Sequence, residues 1–276
     1  MNCRVVHDFG QIYGRPAGEA GYRQENRYIA PQKKMMMTGM GKMLLALGDL
    51  LMPRTCPVCG RPLGLSERHI CLYCAADLPL TYYWGRSHNP MADRLNAALP
   101  DQEGMPYAYA AALFFYDEDV PYKMIPRRLK YENDIGTGRY FAAMLGRYLA
   151  GSEWFGDVDT VIPVPLHWIR RWRRGYNQAA VIARAVAGAL GAVCREDVLL
   201  RRRRTTTQTR LGGDARARNV KGAFSVREKV PEMRHVLLVD DVFTTGSTTA
   251  ECFRTLRAAL PAEARISVAT LAFVKD

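Results

Sequence analysis

The sequence predicts an α/β fold in which a parallel sheet is flanked by helices, with a small cysteine-rich module ahead of it. From residue 157 onward, short apolar and β-branched segments alternate with helical patterns, which is typical of parallel sheets. Before them, four cysteines form two C-x2-C pairs separated by eleven residues. With 276 residues, of which 48% are hydrophobic, the chain can bury one sizeable core beside such a module.

The individual elements follow from the spacing of their apolar residues. Helices are expected where apolar residues recur every three or four positions, and strands where β-branched or aromatic residues run together. The predicted helices are residues 40–52, 89–98, 120–131, 138–150, 177–190 and 247–260. The predicted strands are residues 107–116, 158–164, 198–200, 236–239 and 266–274. Pro126 is expected to kink or restart the helix at 120–131.

These elements divide the chain into three parts. Residues 1–39 open with a polar stretch rich in Gly, Arg and Gln, and we interpret them as a disordered leader without the order of a secretory signal. Residues 40–80 form a helix and the cysteine module, and residues 81–276 form the α/β domain, with a helical part at 81–150 and a core at 157–276. No segment has the roughly 18 uninterrupted apolar residues of a membrane helix. We expect a cytoplasmic protein without membrane insertion.

The cysteine pairs predict a structural zinc site. Two C-x2-C turns can place four thiolates tetrahedrally around Zn2+, and four protein ligands leave no open position for catalysis. The predicted ligands are Cys56, Cys59, Cys71 and Cys74. Four unconnected cysteines or a disulfide pair are the alternatives, weighed against the cytosolic context. A redox role is disfavoured because the two closing pairs satisfy a metal completely.

The positive charge is concentrated in one window. Residues 168–235 contain 17 Lys and Arg against 5 Asp and Glu, so this window holds the whole formal net charge of +12. A localised positive field favours a polyanionic ligand, either a phosphorylated metabolite or nucleic acid, over a merely solvated basic face. Residues 201–221 fit neither a helix nor a strand period, and an irregular segment of this length is typical of a lid over a site.

The segment at 236–248 has the clearest chemical pattern. Its apolar strand delivers Asp240 and Asp241 to the carboxyl edge of the sheet, where open α/β folds bind ligands. A turn of small hydroxyl residues then opens a helix, so that backbone N–H groups can bind a phosphate. The turn residues are Thr244, Thr245, Gly246, Ser247 and Thr248. An ordinary strand, turn and capped helix is the simpler alternative.

This combination of apolar run, paired acids and T-T-G-x-T resembles the signature with which type I phosphoribosyltransferases bind phosphoribosyl diphosphate (PRPP). The resemblance implies that Asp240 and Asp241 are the catalytic pair, which binds the ribose hydroxyls and contributes to the Mg2+ site. It implies that residues 244–248 bind the 5′-phosphate. It also implies that the loop after the first core strand grips the diphosphate. The residues favoured there are Arg174, Gly175, Asn177 and Gln178.

Several motifs in order narrow the resemblance. V-P-L-H, R-G-Y-N-Q, Q-x2-L-x4-R-x2-N-V, D-D-V-x-T-T-G-S-T and the leading cysteine module are similar to the ComF family of competence-associated proteins, from about residue 40 to the C-terminus. The family resemblance implies a phosphoribosyltransferase-like protein linked to DNA uptake. The resemblance does not define which molecule accepts the phosphoribosyl group. In related enzymes a region outside the central sheet, called the hood, selects the acceptor, and here residues 78–131 would form it.

Two hypotheses about function follow, and a third ranks last. As an enzyme, the chain would displace diphosphate from the anomeric carbon of PRPP, with Mg2+ and arginines stabilising the leaving group. Alternatively, it is a catalytically silent PRPP sensor that binds single-stranded DNA through basic loops carrying Trp168 and Trp172, and acts with a competence helicase or other DNA-processing proteins. The third hypothesis is a nucleic-acid-binding zinc ribbon at residues 53–80.

Overall fold

The computed structural model describes residues 48–49, 53–99, 106–203, 221–227 and 232–275. The predicted leader lies outside these residues, as do most of the predicted helix at 40–52 and residues 204–220 of the predicted lid. The helices are α1 (Leu72–Ala76), α2 (Pro90–Ala97), α3 (Met124–Tyr131), α4 (Ile135–Ala150), α5 (Trp168–Arg174), α6 (Gln178–Leu190) and α7 (Ser247–Arg257). The strands are β1 (Ala110–Tyr116), β2 (Thr160–Pro163), β3 (Val193–Cys194), β4 (Leu199–Arg201), β5 (Phe224–Val226), β6 (His235–Phe243) and β7 (Arg265–Val274).

Five strands form one parallel sheet in the order β1-β7-β6-β2-β3. Val239 of β6 pairs with Pro163 on one side and with Ala269 on the other, which fixes the register at the sheet centre. Every residue from 235 to 239 is buried, so helices or loops cover both faces of this strand. The predicted fold class, a parallel sheet flanked by helices beside a cysteine module, is confirmed.

The predicted strand at 198–200 forms, but it lies outside this sheet. β4 pairs with β5 in an antiparallel ribbon, with Leu199 opposite Val226. β3 and β5 have only two and three residues, too few for a periodic pattern to appear in the sequence. Neither strand was predicted.

Two helices of the outer layer pack closely because of a glycine. A Cβ on Gly146 of α4 would lie 2.7 Å from the Cβ of Ala189 on α6, so only glycine permits this approach. Pro126 falls in the first turn of α3, after a 3-10 turn at Pro121–Lys123. The missing N–H of proline is tolerated there, so the helix restarts before Pro126 instead of kinking at it.

Within the described ranges, no helix is both long and apolar enough to cross a membrane.

Candidate functional site

The parallel topology brings the predicted site residues to one edge of the sheet. β6 ends at Phe243 and leads through residues 244–246 into α7, while the chain after β2 leads into α5. The chain after β1 leads into α3. The carboxyl ends of all five strands meet at this edge, and such edges bind ligands in open α/β sheets.

The two acids lie within β6 and not after it. The strand continues to Phe243, four residues beyond the predicted end at 239. The backbone N–H of Asp241 donates to Asp240 Oδ1 at 2.8 Å. Burial, and then the neighbouring Asp241, raise the pKa of Asp240, so this pair favours a nearby cation.

The turn after β6 passes over a buried ring and opens directly into α7. Gly246 precedes α7 with a φ of 75°, the left-handed region that favours glycine. A Cβ on Gly246 would lie 2.6 Å from the Cζ atom of Phe243, so the backbone passes directly over that ring. Gly246 offers no side-chain cap to the first turn of α7, whose N–H groups face the turn. The hydroxyls of Thr245 and Ser247 lie 3.0 Å apart beside them.

Arg94, which belongs to no motif in the sequence, holds this turn in place. Its Nη1 donates to the carbonyl of Thr244 at 2.8 Å and to that of Val274 at 3.0 Å. The guanidinium also lies 4.8 Å from the ring centroid of Phe273. The sequence places Arg94 in the predicted helix at 89–98 but does not indicate its contacts. Its partners are about 150 residues away in the chain or more.

The segment after β2 contains a short basic helix that was not predicted separately. Four of the seven residues of α5 are arginines. Gly175 ends the helix with a φ of 81°, and the Arg174 guanidinium lies 5.3 Å from the ring centroid of Tyr131 on α3. Arg174 therefore lies beside the helix that also reaches the acidic pair.

Asn177 and Gln178 open α6 in different ways. Asn177 Oδ1 accepts from the Ala179 N–H at 3.2 Å, and its Nδ2 donates to the Val164 carbonyl at 3.0 Å, so it caps the helix and ties it to the end of β2. Gln178 is buried, and its Nε2 has no hydrogen-bond partner among the described residues. A buried amide nitrogen of this kind is normally satisfied by an acceptor.

Lys130 reaches the acidic pair from α3. Its Nζ lies 3.1 Å from Asp241 Oδ2, and the two side chains are 26% and 12% exposed. Burial opposes its charge, but Asp241 and Asp240 prevail and raise the pKa of Lys130. The sequence does indicate that Lys130 lies near the acidic pair. Lys130 belongs to the helix predicted after the first strand, and that strand shares its carboxyl edge with β6. No pattern along the chain specifies the contact itself.

α5 also presents two tryptophans to solvent. Trp168 is 70% exposed and Trp172 is 83% exposed, on a helix that contains no acidic residue. Tryptophan is highly buried on average in folded proteins, so two such exposed rings on one seven-residue helix are uncommon.

The two histidines of the core lie in structural positions. His167 Nδ1 accepts from the Ile169 N–H at 3.4 Å and so caps α5. His235 begins β6, at the opposite end of the sheet from the acidic pair, with Nδ1 2.7 Å from Asp157 Oδ1 and Nε2 2.9 Å from Ser267 Oγ. Burial lowers the pKa of His235 to about 4. The charge of the nearby Asp159 opposes this shift but does not cancel it.

The four predicted cysteines form one cluster. The sulfurs of Cys56, Cys59, Cys71 and Cys74 all lie within 4.8 Å of one another. Gly60, with a φ of 72°, donates its N–H to the Cys56 carbonyl at 2.9 Å and closes the first turn. Burial raises the pKa of Cys71 and of Cys74, so thiolates at these positions need a cation beside them. This arrangement could hold a metal ion, and its all-thiolate donor set suits zinc.

The cysteine module packs on the helices of the α/β domain. Tyr122, in the 3-10 turn before α3, donates its hydroxyl to the Cys74 carbonyl at 2.9 Å. The His69 ring lies 5.2 Å from the ring of Tyr140 on α4. The module therefore supports the helix pair that carries Lys130.

No protein-family model matches the chain. Competence protein F of Haemophilus influenzae is 36% identical over 144 residues, which span 50% of this chain but only 62% of that protein. DNA utilization protein YhgH of Escherichia coli O157:H7 is 31% identical over 215 residues, covering 73% of this chain and 90% of that protein. The chain belongs to the ComF family. The resemblance drawn from the motifs is thus confirmed.

Among solved structures, adenine phosphoribosyltransferase from Leishmania tarentolae is 12% identical, with a TM-score of 0.29 over 55% of the ComF-family chain and 74% of the enzyme.

Proposed function

We propose that this chain is a PRPP-binding protein of the phosphoribosyltransferase type that serves DNA uptake or utilization, with Mg2+ as cofactor. The observation that carries the proposal is the sequence of features at the end of β6: two adjacent carboxylates, then a hydroxyl turn over Gly246, then the open N-terminus of α7. The link to DNA rests on the names of the relatives, Competence protein F and DNA utilization protein YhgH.

In this proposal each feature has one task. The first-turn N–H groups of α7 and the hydroxyls of residues 244–248 bind the 5′-phosphate, since a helix N-terminus favours an anion. Asp240 and Asp241 accept hydrogen bonds from the ribose hydroxyls. Arg174 and the buried Nε2 of Gln178 lie in the segment proposed to hold the diphosphate. Carboxylate oxygens suit Mg2+, which when bound would offset the charge of the departing diphosphate.

We also propose that the cysteine cluster holds a structural zinc ion and that the protein works in the cytoplasm. Four thiolates complete a tetrahedral site and leave no position for substrate. A site of this kind requires reduced cysteines, which the cytoplasm maintains.

Calorimetry with PRPP and MgCl2 tests the pocket. Wild-type protein is expected to bind PRPP, and Asp240→Asn and Asp241→Asn are each expected to weaken binding at least tenfold. Glu153→Gln, which removes an exposed acid from the turn after α4, is the matched control and should bind like wild type. Absence of binding by folded, zinc-loaded wild-type protein would eliminate the proposal. Diphosphate release from PRPP with a panel of bases, nucleosides and amines then identifies the acceptor.

The exposed tryptophans of α5 favour a second function, binding of single-stranded DNA. Arginines neutralise phosphates while exposed aromatic rings stack on bases, a combination typical of single-strand binding. Gel shifts over a salt series test it, and Trp168→Ala/Trp172→Ala should weaken binding. Tyr73→Ala, at a 66% exposed aromatic of the cysteine module, distinguishes the zinc-ribbon hypothesis. Affinity that does not change with salt would argue against phosphate contacts.

A further inference from the structure

The acidic pair already has a cation beside it, supplied by the chain itself. The Lys130 Nζ lies 3.1 Å from Asp241 Oδ2, a distance at which ammonium and carboxylate form a direct charge-assisted hydrogen bond. Both side chains are largely shielded from water, which strengthens their attraction relative to that of a surface pair.

The backbone that carries Lys130 is held from two sides. Leu129 is fully buried, and a Cβ on Gly138 of α4 would lie 2.6 Å from its Cδ1 atom, so α3 and α4 are in close contact here. The hydroxyl of Tyr176, in the connection between α5 and α6, donates to the Leu129 carbonyl. The helix position is therefore fixed, whereas the lysine side chain has a flexible four-carbon stem that can turn the ammonium elsewhere.

A divalent cation and this ammonium compete for the same oxygen. Mg2+ bound to Asp241 Oδ2 would lie about 2.1 Å from it, and an ammonium 3.1 Å from that oxygen would place two cations side by side. Free Mg2+ is repelled by Lys130. A complex of Mg2+ with a sugar diphosphate carries net negative charge, and it attracts the same ammonium.

We propose that Lys130 is the internal counter-ion of the acidic pair, which excludes free divalent cations and admits the metal only as its complex with a sugar diphosphate. The exclusion of free metal stands on the Lys130–Asp241 contact alone, and the admission of the complex rests on the proposed function. Lys130 is a positioning residue in this scheme. Its charge balances the acidic pair and moves to the phosphates when the complex enters.

Binding of Mn2+ without any sugar phosphate tests the exclusion, using full-length, zinc-loaded protein and electron paramagnetic resonance of free Mn2+. Lys130→Met is expected to bind Mn2+ at least tenfold more tightly than wild type. Lys130→Arg keeps the charge and should behave like wild type. Lys123→Met is the matched control, because Lys123 lies in the preceding 3-10 turn with its ammonium on the Glu118 carbonyl. Lys130→Gln is the second neutral variant, used if Lys130→Met does not fold.

The outcomes separate this inference from the proposed function. Equal Mn2+ affinity in wild type and a folded neutral variant overturns the counter-ion role, even if wild type binds PRPP with Mg2+. Tighter Mn2+ binding by the neutral variant, lost again in Lys130→Met/Asp241→Asn, supports the role even if PRPP does not bind. An equal gain in Lys130→Arg also overturns it, because a steric effect would then be responsible.

Discussion

Replacing Gly246 by alanine perturbs the turn before α7 through two separable energetic costs. The first is backbone strain, since a left-handed φ of 75° costs a non-glycine residue about 1–2 kcal/mol. The second is steric, since the new Cβ would lie 2.6 Å from the Cζ atom of the buried Phe243, and overpacking of this kind costs about 1–3 kcal/mol. We expect Gly246→Ala to lose about 2–5 kcal/mol of unfolding free energy.

Urea unfolding measures this loss, and two other glycines serve as controls. Gly175 has a φ of 81° but nothing within 4 Å of its Cβ position, so Gly175→Ala carries the strain alone, about 1–2 kcal/mol. Gly188, inside α6 with nothing within 4 Å, should tolerate alanine and gain about 0.5–1 kcal/mol. If Gly246→Ala loses no more than Gly175→Ala, the close approach of the turn to Phe243 is not as described.

Three further predictions concern the acids, the buried histidine and the metal. Asp240→Asn should stabilise the fold by about 1–2 kcal/mol, because the raised pKa of Asp240 makes its ionisation unfavourable in the folded state. The gain should grow as the pH rises above the ordinary carboxyl range. Urea unfolding midpoints from pH 4 to 8 measure this trend, and its absence would show that the site is solvated. His235 has a folded pKa of about 4, below its unfolded value, so the unfolding free energy of the wild type should fall by about 2 kcal/mol between pH 7.5 and pH 5. An equally steep fall in His235→Asn would show that His235 is not its origin. If the cysteine cluster holds a metal ion, a chelator or Cys56→Ser should lower the Tm and expose the module to proteolysis. An unchanged Tm after confirmed metal removal would refute a structural role.

Local chemistry explains which elements the sequence predicts well. The helix expected at 89–98 forms at Pro90–Ala97, because Asn89 accepts from the N–H groups of Met91 and Ala92 and Pro90 suits the first turn. The strand at β7 forms within one residue of its predicted start, since a long apolar run bounded by polar residues needs no other information. These elements are encoded by neighbouring residues.

The remaining features depend on partners distant in the chain. Asp240 and Asp241 look like loop residues in the sequence, yet β6 continues through them because its pairing with β7 extends to Phe243 and Phe273. The contacts of Lys130 with Asp241 and of Arg94 with Thr244 join residues more than 100 positions apart. Parallel topology predicts that such residues share one edge of the sheet, but only packing decides which side chains touch.

A crystal structure of the zinc-loaded protein with Mg2+ and PRPP measures the central claim most directly. The account predicts that the 5′-phosphate lies on the first-turn N–H groups of α7, that the ribose hydroxyls contact Asp240 and Asp241, and that Lys130 has left Asp241 for a phosphate oxygen. A sugar phosphate bound elsewhere, with the Lys130–Asp241 contact intact and the residue 244–248 turn unoccupied, would contradict it.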